Sequence, residues 1–317
     1  MNLKTKVLNI LKSNNQYISG QLLADEFCVS RNAIWKAIKS LQNDGYNIDS
    51  VSNKGYRLLS LDDAIDLNVI SRFFENLQEN INIIYKSSVD STNTDLKKLY
   101  YNSIPFNTLL IADEQSAGRG RFGRNFYSPS KTGVYFSLLI KPDLKFDNSS
   151  VFTSLTAVAV CDSIRMLTSK APGIKWVNDI YINNKKVAGI LTEASIDFET
   201  NSFDYLIIGI GINISTKNFP HDLAKKAGSL NSNISKSELI GCIISNFYKL
   251  YHRLPDTSFI SDYKNYSIMI NKDISYNINN VTYTGKVIDI NDHGNLIVSG
   301  IDGISTLTSG EVTIIDF

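Results

Sequence analysis

Leu3, Val7, Ile10 and Leu11 repeat at the spacing of one helix face, so residues 3 to 13 read as an amphipathic helix. Ser19 is placed to cap a short second helix carrying Leu22, Leu23 and Phe27, and Cys28-Val29 makes a tight turn after it. Ser30 is a second N-cap, and Ala33, Ile34, Ala37, Ile38 and Leu41 line one face of a third helix that ends at Gly45. Two short strands follow, near Tyr46 to Val51 and Gly55 to Leu59, joined by Ser52-Asn53-Lys54. A helix, a helix-turn-helix and then a basic hairpin is the layout of a winged helix-turn-helix. Trp35, in the third helix, is ambiguous: packing under the hairpin is one reading, and base contact is the less favoured one.

Farther along, the pattern predicts strands at Gly133 to Ile140, Ile174 to Val177, Ile180 to Ile182, Val187 to Thr192 and Tyr205 to Ile214. Asn183-Asn184 is a hairpin turn between two of them. Amphipathic helices cover about 150 to 169 and about 236 to 252. Together these predict a mixed sheet with helices on one side, an α+β enzyme domain. From about Lys272 to Phe317 the chain reads as five short strands, with turns near Asn279-Asn280, Asp292-His293-Gly294, Ile301-Asp302-Gly303 and Ser309-Gly310. His293 reads as a solvated turn residue.

Composition narrows the class. With 317 residues, 43% of them hydrophobic and 20% charged, the chain has material for two or three domains with cores and is not a disordered protein. No apolar run reaches the roughly 18 residues of a membrane span. The nearest, Val151 to Cys161, is interrupted by Thr153, Ser154 and Thr156 and ends at Asp162. The N-terminal residues hold no apolar signal core, so a cytoplasmic protein without membrane attachment is expected. Cys28, Cys161 and Cys242 are too few and too scattered for a disulfide framework or a cysteine-based zinc site, and no metal site is expected. The net charge of +1 conceals an asymmetry: residues 1 to 60 hold eight Lys/Arg against four Asp/Glu. A basic head suits a polyanion.

On the third helix, Arg31, Asn32, Lys36 and Lys39 lie opposite the apolar stripe, and Lys54 sits at the hairpin tip. Their donors suit phosphates and base edges of DNA. A solvated helix face on a protein-interaction module is the other reading of the same charges.

Gly118-Arg119-Gly120-Arg121-Phe122-Gly123-Arg124 contains Gly-x-Gly-x-x-Gly, yet Ala112 to Ser116 before it and Asn125 to Pro129 after it lack the apolar strand and helix of a dinucleotide fold. No Gly-Lys-Ser/Thr closes it as a P-loop, and a single copy argues against an RNA-binding Arg-Gly repeat. There remains a glycine-rich loop whose guanidiniums can neutralise phosphate oxygens and whose like charges should leave it poorly ordered without a ligand; an exposed loop that binds nothing is the bland alternative. Asp90-Ser91-Thr92-Asn93 opens a helix and can hold a polar head group, or simply cap. Lys175, beside Trp176, is costly to bury without an anion. Ile207 to Asn213 is an apolar strand whose Gly209 and Gly211 leave room for a flat ligand, or mark bulges.

In this order the motifs resemble the biotin protein ligase family, specifically its bifunctional ligase/repressor members. The resemblance rests on Asp90-Ser91-Thr92-Asn93, Ala112 to Arg124, Lys175-Trp176-Val177-Asn178-Asp179, Lys186 to Leu191 and Gly209 to Asn213. In the head it rests on Ser30 to Lys36 and Asn53 to Leu58, so it spans almost the whole chain. It implies a winged helix-turn-helix over 1–64, an α+β, class II synthetase-like ligase domain with a mixed sheet over 65–271, and a small SH3-like β-barrel over 272–317.

The activity it implies is formation of biotinyl-5′-AMP from biotin and ATP with Mg²⁺, then transfer of biotin to a lysine of a biotin carboxyl carrier protein. Repression would follow from a ligand-promoted homodimer binding operator DNA at two half-sites. By the match, Ser91, Thr92, Asn93, Gln115, Gly118, Arg119, Lys175, Gly189 and Gly209 would bind biotin. Arg119, Arg121, Arg124, Phe126, Lys175, Asn178 and Asn213 would bind ATP or the adenylate, with Arg119, Arg121 and Lys175 catalytic.

Three departures stand out. Val177 replaces a proline that would stiffen the Lys-Trp turn, and Phe126 stands where many relatives stack a tryptophan on adenine. In the barrel, Val287-Ile288-Asp289-Ile290 lacks the arginine of the relatives' Arg-Gly-Ile-Asp. Lipoate or octanoate attachment, and a biotin-sensing repressor whose ligase activity has lapsed, are the competing functions.

Overall fold

The computed structural model describes every residue except 1, 2, 15, 44, 45, 53, 61–64, 144–149, 198, 233, 279, 280, 302, 316 and 317. Gly45, Asn53, the turn at Asn279-Asn280, Asp302 and the domain boundary placed at residue 64 therefore lie outside the described residues. The chain forms two compact units, residues 1–69 with 233–238 and residues 70–232 with 239–317.

In the first unit, α1 (Leu3–Ser13), α2 (Gly20–Glu26) and α3 (Arg31–Asn43) are followed by β1 (Asn47–Val51) and β2 (Gly55–Ser60), an antiparallel pair. Ser19 caps α2 by accepting from Leu22 N at 3.0 Å, and Ser30 accepts from Ala33 N at 3.2 Å at the start of α3. Cys28 takes a positive φ of 52° in the turn between them. Val7, Leu11, Leu23, Ile34, Ile38 and Leu41 form the core. Trp35, left ambiguous by the sequence, is 48% exposed and outside that core, which does not favour packing under the hairpin.

The second unit begins within α4 (Leu67–Arg72) and continues through β3 (Asn82–Val89), α5 (Thr92–Tyr101), β4 (Thr108–Gln115), β5 (Gly133–Ile140), α6 (Ser150–Leu167), β6 (Gly173–Lys175), β7 (Asp179–Ile182), β8 (Lys185–Asp197) and β9 (Ser202–Asn213). The sheet order is β3-β4-β5-β9-β8-β7-β6; β3 and β4 run parallel and every other pair is antiparallel. α7 (Lys236–Tyr251) and α8 (Phe259–Tyr266) precede a five-stranded antiparallel sheet of β10 (Asp273–Ile278), β11 (Val281–Ile290), β12 (Leu296–Gly300), β13 (Gly303–Leu307) and β14 (Val312–Ile314).

Helices cover both faces of the seven-stranded sheet, not one. Thr192 on β8 meets Thr153 of α6 at 2.9 Å, and its partner Ile208 on β9 shares that face. Tyr205 and Ile207 of β9 point the other way and cluster with Leu96 of α5. Burial on both sides is why all eight residues of β5 are buried and why its sequence is apolar apart from Ser137. α6 has the length and apolarity of a membrane-crossing helix, yet twelve of its residues are buried within the fold.

Gly55 tests the hairpin. Its φ is +107°, and a Cβ there would lie 2.1 Å from the Ile18 carbonyl oxygen. Gly55→Ala should destabilise the first unit by at least about 2 kcal/mol. Amide hydrogen exchange in α1 to α3 should accelerate while the seven-stranded sheet keeps its protection; unchanged exchange would mean that the hairpin shifts at no cost.

Candidate functional sites

A cavity of about 680 Å³ lined by many polar and charged side chains lies in the second unit. Its lining brings together Ser91, Thr92, Asn93, Gln115, Arg119, Arg121, Arg124, Phe126, Lys175, Asn178, Gly189 and Gly209. Gly118 and Asn213 are outside that lining.

At one end of the cavity β3 hands over to α5. Ser91 holds the N-cap position but its hydroxyl makes no capping bond, so simple capping does not account for it. Thr92 donates its backbone N–H to Gln115 Oε1 at 2.9 Å, and Gln115 Nε2 donates to Ser128 Oγ at 2.8 Å. Ser137 Oγ lies 2.7 Å from Thr92 Oγ1 and 2.6 Å from Asn93 Oδ1. Asn93 gives its amide hydrogens to the Leu191 carbonyl at 3.2 Å and to Glu193 Oε2 at 2.7 Å. Asn93 is thus fully engaged and orients its neighbours. Gly209 admits it: a Cβ there would sit 2.1 Å from Asn93 Oδ1. Ser128, Ser137 and Glu193 were missed in the sequence because they reach this network from distant strands.

The glycine-arginine segment is a closed hairpin, where an unstructured loop was expected. Phe126 N donates to the Gly118 carbonyl at 2.8 Å and Gly120 N to the Arg124 carbonyl at 2.7 Å. Gly118 is required by contact: a Cβ would lie 2.5 Å from the Phe126 carbonyl oxygen. An apolar strand, β4, does precede the segment, but the one 3₁₀ turn, Arg121–Gly123, lies within it and the next element is strand β5, so the dinucleotide fingerprint remains excluded by the missing helix. Arg124 is ion-paired with Glu311, and Arg121 stacks 5.0 Å from the Phe122 ring. Burial lowers the Arg121 guanidinium from its ordinary value, against the pull of Asp179, Tyr263 and Glu311.

Lys175 is half-buried at the end of β6, directly across from Asp179. Asp179 Oδ1, however, lies 2.6 Å from Lys186 Nζ, and no carboxylate among the described residues is in ion-pair contact with Lys175. Burial accordingly lowers the Lys175 amine from its ordinary value, although Asp179 and Glu311 pull it up. Its Nζ stands 5.9 Å from the Tyr181 ring centroid, and burial pushes that phenol up to about 12. The Val177 turn is not loose. The Trp176–Val177 peptide is cis, Tyr263 donates to the Val177 carbonyl at 2.9 Å, and Trp176 Nε1 donates to the Gly294 carbonyl at 2.9 Å. Asn178 Nδ2 donates to the Ile190 carbonyl at 2.7 Å.

The paired glycines Gly189 and Gly211 receive the chain's own Phe126 ring; a Cβ at Gly211 would lie 2.5 Å from it. Asn213 is buried, donates to the Gly228 carbonyl at 3.1 Å, and leaves its Oδ1 without a hydrogen-bond partner. In the barrel, Asp289 pairs with Lys264 at 3.2 Å, beside a bulge between Val287 and Asp289.

In the first unit, Arg31, Asn32, Lys36 and Lys39 are exposed along α3, and Lys54 is exposed in the hairpin.

Residues 85–213 match the biotin/lipoate A/B protein ligase family, and residues 4–57 match a helix-turn-helix domain. The chain is 33% identical over 310 residues to the bifunctional ligase/repressor BirA of Bacillus subtilis, covering 95% of each chain. It is 24% identical over 311 residues to the bifunctional ligase/repressor BirA of Escherichia coli, covering 96% of this chain and 95% of that one. Its fold matches the biotin protein ligase from Aquifex aeolicus in complex with biotin and ATP, with a TM-score of 0.65 and 26% identity, over 74% of this chain and 99% of the other.

Lys175 yields a pH prediction. With its folded value lowered, the unfolded chain holds the extra proton in the window between the two values, so stability rises with pH there. Lys175→Met should flatten that rise and raise the thermal midpoint near neutral pH, where the wild-type charge is buried. A lower midpoint would show the ammonium to be a stabilising partner instead.

Proposed function

The chain belongs to the family of bifunctional biotin ligase/repressors, and from that membership we propose how its own residues divide the work. The family activity is biotin–[acetyl-CoA-carboxylase] ligation joined to repression through a helix-turn-helix head. The observation that carries the residue assignment is Lys175, half-buried in the cavity with no carboxylate in contact and three arginines on the same walls.

In the first step a biotin carboxylate oxygen attacks the α-phosphorus of ATP and the bond to the β-phosphate breaks, giving biotinyl-5′-AMP and pyrophosphate. Two anions must meet, so the protein's part is positioning and neutralisation. The network of Ser91, Thr92, Asn93 and Gln115 holds the ureido head. Arg119, Arg121 and Arg124 take the polyphosphate, with Gly118 letting their hairpin fold close to the sheet. Lys175 reaches the α-phosphate and carboxylate oxygens. Phe126, Asn178, Gly189, Gly209 and Asn213 shape the wall and floor. Among the described residues no group of three or more His, Cys, Asp or Glu is gathered, and both Asp179 and Glu311 are engaged by cations. That arrangement fits Mg²⁺ entering on the nucleotide.

In the second step the neutral amine of an acceptor lysine attacks the acyl carbon, AMP leaves and the amine loses a proton. The acceptor is a biotin carboxyl carrier protein, and the reaction is cytoplasmic. Residues 1–64, 65–271 and 272–317 serve as DNA-binding, ligase and barrel domains. A dimer promoted by the bound adenylate sets two heads on two operator half-sites, with Arg31, Asn32, Lys36, Lys39 and Lys54 on the DNA.

Incubation with Mg-ATP, biotin and a biotin carrier domain should give biotin-dependent pyrophosphate and a heavier acceptor. Adenylate without transfer would favour a sensor, and no turnover would end the ligase reading. Lys175→Ala should slow both steps with the fold intact; unchanged rates would remove Lys175 from the site. Arg31→Ala with Lys36→Ala should weaken DNA binding and lower its salt slope by about 2 per head, leaving ligation unchanged. Loss of both activities together would break this division of labour.

A further inference from the structure

A side-chain cluster in the first unit is used neither by the ligation chemistry nor by the exposed face of α3. Ile18 N donates to the Tyr56 carbonyl and Tyr56 N to the Ile18 carbonyl, both at 2.8 Å, so an isolated antiparallel bridge at Ile18 brings Tyr17 beside β2. On the other side of β2, Asp49 of β1 stands directly across from Arg57. Arg57 therefore lies between the segment carrying Tyr17 and the strand carrying Asp49.

Their contacts are specific. The Arg57 guanidinium carbon stands 4.5 Å from the Tyr17 ring centroid and Lys54 Nζ stands 5.9 Å from it. The Tyr17 hydroxyl donates to the Asp49 carboxylate. Among the described residues no carboxylate forms an ion pair with Arg57 or Lys54, and Arg57 Nε is buried without a hydrogen-bond partner. An arginine facing a carboxylate across a strand pair would ordinarily be neutralised by it. Here the tyrosine hydroxyl occupies that carboxylate, and the ring holds the guanidinium by cation–π contact. The hydrogen bond to Asp49 also keeps the Tyr17 phenol above its ordinary value, so it remains a donor. Arg57 and Lys54 thus both stand against the Tyr17 ring, and the carboxylate across from Arg57 is engaged by the Tyr17 hydroxyl.

We propose that Arg57 is a phosphate-binding residue of the hairpin and that Tyr17 positions it, by stacking on it and by diverting Asp49 from it. The ligand is a backbone phosphate of duplex DNA. The proposal rests on the repressor reading above and adds to it a contact and the device that keeps that contact charged. A planar, forked guanidinium held against a ring loses little freedom when it meets phosphate oxygens.

The test uses the full chain and a 40-base-pair duplex of arbitrary sequence, with binding followed by fluorescence anisotropy between about 50 and 200 mM salt, where phosphate contacts dominate. Arg57→Gln should reduce the slope of log affinity against log salt by about 0.9 per head. Arg57→Lys, which retains the charge, should keep the slope while weakening affinity, and this separates lost contact from lost fold. Tyr17→Phe keeps the ring but frees Asp49; it should weaken binding, and Asp49→Asn added to it should restore binding. A purely structural role for Tyr17 would make those two changes add instead of cancel, and that result would overturn the positioning device. If Arg31→Ala with Lys36→Ala lowers the slope and Arg57→Gln does not, the Arg57 contact is wrong and the DNA reading stands. If neither lowers it, the DNA reading itself fails and this inference fails with it.

Discussion

Everything at the ligase cavity depends on how its few carboxylates are shared among its many cations. Asp179 faces Lys175 across the β6–β7 pair but is held by Lys186, and Glu311 is held by Arg124. Lys175 is left half-buried with opposite charge nearby and none in contact. The desolvation that lowers its amine is a cost of burying that charge. An anionic ligand removes that cost, and more so where negative charge is gathered most densely, at the phosphoryl group in transit. A preorganised cation in a partly dry cavity is worth more than the same cation in water, because nothing has to reorganise when the charge moves.

The sheet supplies the rigidity this arrangement needs. Gly189 and Gly211 are paired across β8 and β9 and admit Phe126, while Gly209 admits Asn93. Each glycine removes a side chain so that a functional one can press against the backbone. The Trp176 and Tyr263 hydrogen bonds fix the turn after Lys175 from both sides, with the acceptor of one and the donor of the other contributed by the barrel's β11–β12 turn and by α8. A rigid proline ring is therefore not the only way to hold that turn, and the local sequence around Val177 carries no sign of this because both partners are far along the chain.

That separation explains which features the sequence reveals. The caps at Ser19 and Ser30, the apolar run of β5 and the Asn183-Asn184 turn are written in contiguous residues, and they form where local chemistry puts them. α8 was not foreseen, nor was β3, whose burial pattern is irregular along an edge strand. The covering of both sheet faces was missed because α5 is short and its apolar stripe is modest. In the site, motif residues could be named from the sequence. Ser128, Ser137, Glu193 and Glu311 could not, since nothing local marks a residue whose partner lies from 13 to 187 positions away. In the glycine-arginine segment, repulsion among the arginines is a local property legible in the sequence, while the backbone bonds that close the hairpin and the Glu311 carboxylate are not.

The same network bears on which acid the cavity selects, since the matched family unites biotin and lipoate ligases. Biotin ends in a urea, with two N–H donors and a carbonyl acceptor; lipoate ends in a dithiolane, which has no N–H donor and only weak sulfur acceptors. The closed end of this cavity is formed by Ser91, Thr92 and Gln115, buried or half-buried and backed by Ser128 and Ser137. The Ser91 hydroxyl makes no cap bond, so it is ready for a polar ligand. A urea can pair with such groups. A dithiolane would strip water from them and return little, and buried polar groups left unpaired discriminate more strongly than a change of apolar size does. Selectivity for biotin then follows from the cost of the wrong ligand as much as from the contacts of the right one. On the proposed assignment the polar end of the cavity would decide the acid, while the cations around Lys175 would serve either.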